Sequence, residues 1–145
     1  MDAFVQPLYE LADFDAIIRQ LKKPGIVQVS GCLDSQKAHF TNGLLREFPF
    51  RLIVAENDLK AKAFYEDFRL YDPEVLYYPA RDLIFYQADI HGNLLTRQRI
   101  QVLRALLERE EVTIVTSIDS CLDCLVPLAV WKEKVIKIRN DSEID

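Results

Sequence analysis

Two periods of apolar residues succeed each other along this chain. Phe14, Ile17, Ile18 and Leu21 follow Asp13 at the spacing of one helix face, and Pro24-Gly25 ends the run. Ile26 to Val29 predicts a first strand. Asp34 or Ser35 opens a second helix, with Phe40, Leu44 and Phe48 at four-residue intervals, closed by Pro49. Leu52 to Ala55 predicts a second strand. Asn57-Asp58 caps a third helix whose buried stripe is Ala61, Phe64, Tyr65 and Phe68. Asp72-Pro73 is a turn, and Val75 to Tyr78 a third strand stopped by Pro79. An irregular stretch from Ala80 to Asn93 follows, in which His91-Gly92-Asn93 reads as a turn. A long helix from about Leu94 to Arg109 carries Ile100, Leu103 and Leu107 on one face, beside Val102 and Leu106. Val112 to Thr116 predicts a fourth strand, and Ile118 to Trp131 a short helical piece containing Pro127. Lys134 to Ile138 alternates like an edge strand or a linker, and Arg139 to Asp145 is polar.

Strands separated by helices of ten or more residues need crossover connections, hence a parallel sheet. Ligands of such sheets bind at the carboxyl ends of the strands. The chain's 145 residues suit one domain with a single core. A net charge of −5 argues against a nonspecific nucleic-acid role for this segment, because such binding rests on neutralising phosphates. Three cysteines without a secretion signal, and no window of about 18 apolar residues, predict a cytoplasmic protein.

The segment after the first strand carries the most specific chemical signal. Ser30-Gly31-Cys32-Leu33-Asp34-Ser35-Gln36-Lys37-Ala38 keeps the register of a phosphate-binding loop, G-x-x-x-x-G-K-[ST]. Gly31 and Lys37 stand at the required spacing. Gln36 replaces the glycine that lets backbone approach phosphates, and Ala38 replaces the hydroxyl that ligates Mg²⁺. The pattern predicts no cofactor in this segment and no hydrolysis. A chance Gly and Lys beyond a strand is the plainer alternative.

Other candidates are weaker. Asp119 follows the fourth strand where an NTPase needs an acid, but it also reads as a helix N-cap. Cys121-Leu122-Asp123-Cys124 has the spacing of a redox pair or of half a zinc site. The remaining candidate ligands, Cys32, His39 and His91, form no second half-site, so no metal is expected and small apolar residues on a buried helix is the plainer reading. His39 and His91 stand in no triad pattern. Arg97, Arg99, Arg104 and Arg109, with Glu108, Glu110 and Glu111, read as a solvated, salt-bridged face. Tyr77, Tyr78, Phe85 and Tyr86 bracket a loop long enough to make contacts.

Residues 77 to 110, YYPARDLIFYQADIHGNLLTRQRIQVLRALLERE, closely resemble the N-terminal module of the bacterial transcription-repair coupling factor. That module is itself similar to component B of the excinuclease ABC system. Ile53 to Ala61 looks like the second helicase motif of excinuclease component B, and Thr113 to Asp119 like the strand after its long helix. The degenerate loop falls where component B keeps a working one. The stretch between Tyr78 and the long helix is too short for the aromatic hairpin with which component B threads damaged DNA.

The resemblance, covering about residues 5 to 140, implies a three-layer RecA-like P-loop-type α/β domain at 1–138, with a mostly parallel sheet of about five strands. It makes 139–145 the start of a linker to an adapter domain. It implies a parent that releases RNA polymerase stalled at lesions and recruits nucleotide excision repair. ATP and Mg²⁺ would act in distant motor domains on double-stranded DNA, and excinuclease component A would be engaged through the adapter. This segment would be a scaffold with no catalytic residues, prone to weak self-association where neighbouring domains are absent. A nucleotide-binding regulatory domain without hydrolysis is the alternative, and a redox protein using Cys121 and Cys124 a distant third.

Overall fold

A computed structural model describes residues 5–81, 89–123 and 125–134. A 3₁₀ turn at Gln6–Glu10 precedes α1 (Phe14–Leu21), α2 (Asp34–Leu45), β1 (Phe50–Ala55), α3 (Asp58–Phe68) and β2 (Leu76–Tyr78). Next come α4 (Asp89–Glu108), β3 (Val112–Ser117), α5 (Ile118–Cys121) and α6 (Leu128–Lys134). The three strands form one parallel sheet in the order β1-β3-β2. In β3 all six residues, Val-Thr-Ile-Val-Thr-Ser, are buried, as a strand between two neighbours and two helices requires. Its register pairs Leu52 of β1 and Leu76 of β2 with Ile114.

Each face of the sheet has its own core. On one, α3 lays Ala61 and Phe68 over Val115 and Tyr77, with Ala38 of α2 and the half-buried Ile53 at the flank. Asn57 starts α3 as the sequence predicts, its Oδ1 accepting the Lys60 amide at 2.9 Å. On the other face, Val102 and Ala105 of α4 cover Val112, Ile114 and Tyr78. A third cluster joins Val5 and Leu8 to Phe14 and Ile18 of α1, against Phe40 and Leu44 of α2. Phe14 meets the rings of Tyr9 and Phe40 edge-on, at 5.2 and 5.5 Å.

At the amino ends of the strands, Asp72 accepts the Thr113 hydroxyl at 2.7 Å and the Glu74 amide at 3.1 Å. Arg51 Nη1 lies 3.8 Å from the same carboxylate. The carboxyl of the Asp-Pro turn thus ties the start of β3 to the loop before β2.

Several expectations need correction. The sheet has three strands among the described residues. Ile26 to Val29 forms no strand: among the described residues no ladder pairs it with a neighbour. Lys134 ends α6, and 135–138 lie outside the described residues. The single helical piece at 118–131 is two short helices. Pro127 cannot donate into a continuous helix; it precedes α6, and its carbonyl accepts the Trp131 amide at 3.1 Å. His91-Gly92-Asn93 lies within α4 rather than in a turn. One helical glycine costs about 1 kcal/mol, which a helix of 20 residues absorbs.

Gly43 is the tightest position in the N-terminal cluster. A Cβ there would overlap the Leu8 side chain and stand 2.9 Å from Phe14 Cζ. Gly43→Ala should therefore destabilise the fold by about 1–3 kcal/mol despite alanine's higher helix propensity. Chemical denaturation of the two proteins checks this; unchanged or increased stability would contradict the packing.

Candidate functional site

The phosphate-loop register folds as a turn into α2. Gly31 has φ +86°, in the region that favours glycine. Leu33 is the N-cap, and both Gln36 and Lys37 donate their amides to its carbonyl, at 2.9 and 3.2 Å. The Gln36 side chain reaches back to accept the Leu33 amide at 3.2 Å. Lys37 Nζ donates to Asp34 Oδ1 at 2.6 Å. That hydrogen bond and the attraction of the ammonium hold the Asp34 carboxyl below the usual carboxylate range. A loop that cradles phosphate leaves these donors for its ligand. Here the glutamine and the aspartate occupy them from within.

Ala38 stands apart from its three neighbours in the motif. It is almost completely buried and packs in the core between α2 and α3, whereas Gly31, Gln36 and Lys37 are exposed. The position at which a working loop carries its metal-binding hydroxyl is a packing position in this chain.

The second place where function could reside is at the carboxyl ends of the strands. Asp58 follows β1 and reaches across the sheet. Its Oδ1 accepts the Ala80 amide beyond β2 at 3.1 Å and the Ser117 hydroxyl at the end of β3 at 3.4 Å. Its backbone carbonyl accepts the Tyr77 hydroxyl at 3.4 Å. Ser117 in turn shares a hydrogen bond of 2.8 Å with Ser120. Beside this node opens a cleft of about 600 Å³, bounded by Asp58, Lys62, Tyr77, Arg81, Gln98 and Asp119. Its charges are of both signs, and of its polar groups Asp58 and the Tyr77 hydroxyl are engaged in holding strand ends. Burial, then the Asp58 contact, pushes the Tyr77 phenol well above its ordinary range.

Ser117, not Asp119, caps α5, its Oγ accepting the Ser120 amide at 3.3 Å. The hydroxyl at the end of β3 already points along the helix start, and Asp119 stands in the first turn facing the cleft. Cys121 is exposed rather than on a buried helix face, and Cys124 lies outside the described residues. Cys32 is half-buried, and His39 stacks on Tyr71 at 5.4 Å. His91 belongs to α4, away from His39 in sequence and element. Among the described residues no group of three His, Cys, Asp or Glu side chains is placed to hold a metal ion. Tyr77 and Tyr78 are core residues; Phe85 and Tyr86 lie outside the described residues.

The arginine face divides. Arg104 pairs with Glu108 at 2.8 Å and Arg109 with Glu74 at 3.1 Å, both at the surface. Arg99 is buried, contrary to the periodic reading. Its guanidinium lies 4.1 Å above the Tyr78 ring, donates to the Pro79 carbonyl at 2.7 Å and meets Asp123 at 2.8 Å. The positive charge is accommodated by a carbonyl, a carboxylate and a π face supplied by separate elements. No signal local to α4 distinguishes this arginine from its neighbours.

No helix among the described residues is long and apolar enough to cross a membrane. No protein-family model, curated protein or solved structure matches the chain.

Two outcomes follow from this geometry. Ala38→Thr, a change toward a working loop, should destabilise the protein by about 1–3 kcal/mol, because it adds volume and a hydroxyl to a packed core. A melting curve for the variant that overlays the parent would refute that placement. Tyr77 stays protonated in the fold beyond its unfolded pKa of about 10, so the folded state binds more protons than the unfolded at high pH. Stability should fall as pH rises above about 10, and Tyr77→Phe should flatten that part of the profile.

Proposed function

We propose that this chain is a catalytically inert, RecA-like scaffold domain of a transcription-repair coupling factor, the kind of protein that frees RNA polymerase stalled at lesions and recruits nucleotide excision repair. The observation that carries the reading is the loop at Gly31 to Ala38. It keeps the spacing of a nucleotide site while Gln36 and Asp34 take up donors that phosphate would use. The parallel α/β order supports it, as does a degenerate loop that precedes a helix packed on the sheet's first βα unit. In this reading the sheet is a RecA-like one of about five strands, with Ile26 to Val29 forming a strand position of its own. The domain occupies 1–138, and 139–145 lead toward an adapter domain that would engage excinuclease component A. ATP, Mg²⁺, double-stranded DNA and polymerase belong to other domains of the parent, and a cytoplasmic location goes with that role.

A second reading, nucleotide binding without hydrolysis, is favoured by one feature: Lys37 is exposed and tethered only by a surface ion pair, which is worth little. Thermal unfolding with millimolar Mg-ATP decides between them. A ligand at a hundredfold excess over its Kd stabilises by about 2.7 kcal/mol, a shift of several degrees for a domain of this size. The scaffold reading expects no shift; a shift that Mg²⁺ alone does not give would replace it with the regulatory one. For the partner, titration against excinuclease component A should give weak or no binding by residues 1–145 and clear binding by a chain extended through the next domain. Equal affinity for both would remove the scaffold assignment.

A further inference from the structure

We infer that the packed body of this protein ends with α5, that residues 122–134 form a hinged arm beyond it, and that the ion pair between Arg99 and Asp123 is the latch that holds the arm against α4.

Ser120 is the last buried residue of the described chain; it is 1% exposed and shares its hydroxyl hydrogen bond with Ser117 at the end of β3. Beyond it the character of the chain changes. None of the three apolar clusters draws a residue from 122–134. Leu122, Leu125 and Val126 are 77%, 52% and 54% exposed, and Val130 and Trp131 are half-buried without joining a cluster. The Leu122 amide donates to the Ile118 carbonyl at 3.2 Å, which closes α5, and the Trp131 amide to the Pro127 carbonyl at 3.1 Å, which opens α6. Among the described residues no backbone hydrogen bond ties 123–134 to an earlier element.

Asp123 is the exception. Surface segments usually turn apolar groups inward and charges outward. Here the order is reversed, because the carboxylate turns in while its apolar neighbours face out. It lies 2.8 Å from Arg99 Nη1, and the two side chains are only 27% and 7% exposed. Salt screens a pair so enclosed much less than one at the surface.

The two partners are held unequally. Arg99 is fixed to the body without the arm, since it donates to the Pro79 carbonyl and lies over the Tyr78 ring. Asp123 makes no second ion pair or hydrogen bond among the described residues. The receiving half of the latch therefore belongs to the body and the moving half to the arm. Segments with few buried apolar contacts open locally at far less cost than global unfolding. An arm attached in this way swings about the end of α5 while the sheet stays intact, and it carries with it whatever follows Lys134. It does so whether or not the domain serves as a scaffold.

Native thermolysin digestion of the whole chain, read by mass spectrometry, reports opening of the arm through cleavage within 124–131. Hydrogen exchange at 112–117 reports the body. The proteins compared are the parent, Asp123→Asn, and the double variant Arg99→Met with Asp123→Asn, which removes the latch without leaving the arginine buried alone. Both variants should speed cleavage within 124–131 by at least about tenfold, and the double variant should keep exchange at 112–117 within about twofold of the parent. Unchanged cleavage within 124–131 in the double variant overturns the latch. Exchange at 112–117 that rises in step with that cleavage in the double variant makes 122–134 part of the body and overturns the arm.

Discussion

The sheet depends on what Asp58 does at its carboxyl end. Three parallel strands end side by side, and their last backbone groups have no ladder to continue. One carboxylate placed after β1 accepts from the segment beyond β2 and from the last residue of β3, so a single side chain links the ends of all three. The Asp72 carboxylate plays the matching part at the other end, between β3 and the turn before β2. A three-strand sheet has little area with which to resist shear between strands. Charge-assisted hydrogen bonds at both ends supply directional restraint that apolar packing lacks.

The same economy explains the cleft beside Asp58. In a parallel α/β sheet this is where a ligand would bind, and there the Asp58 carboxylate and the Ser117 hydroxyl hold the strand ends together. In the loop before α2, likewise, Gln36 completes a capping interaction and Ala38 packs into a core. At both positions the polar groups named serve the stability of the fold.

Much of this was legible wherever the signal is local. The Asn57 cap, the Ala61 and Phe68 stripe and the buried run of β3 are each written within a dozen residues. What escaped needed a distant partner. Ile26 to Val29 has the composition of a strand, but composition cannot say whether a neighbour is present to pair with it. Arg99 reads like its exposed neighbours because Pro79, Tyr78 and Asp123 reach it only through the fold. The Phe40 and Leu44 face of α2 was legible, but the burial of Ala38, Asn42 and Gly43 was not, because they bury little apolar surface. In the candidate site, the loop register was visible and the filling of its donors was not. The strand-end role of Asp58 was hidden behind its place in an ordinary helix start.

The position of β3 has a consequence for how the protein is made. Phe50 pairs with Val112 across 62 residues, and β1 and β2 have no contact as strands except through β3. During synthesis both therefore leave the ribosome as unpaired apolar segments. They wait for the fourth helix and the strand behind it, and the sheet closes in one late step rather than growing hairpin by hairpin. At about 5–20 residues per second that interval lasts several seconds, during which α3, made just after β1, can cover one of its faces.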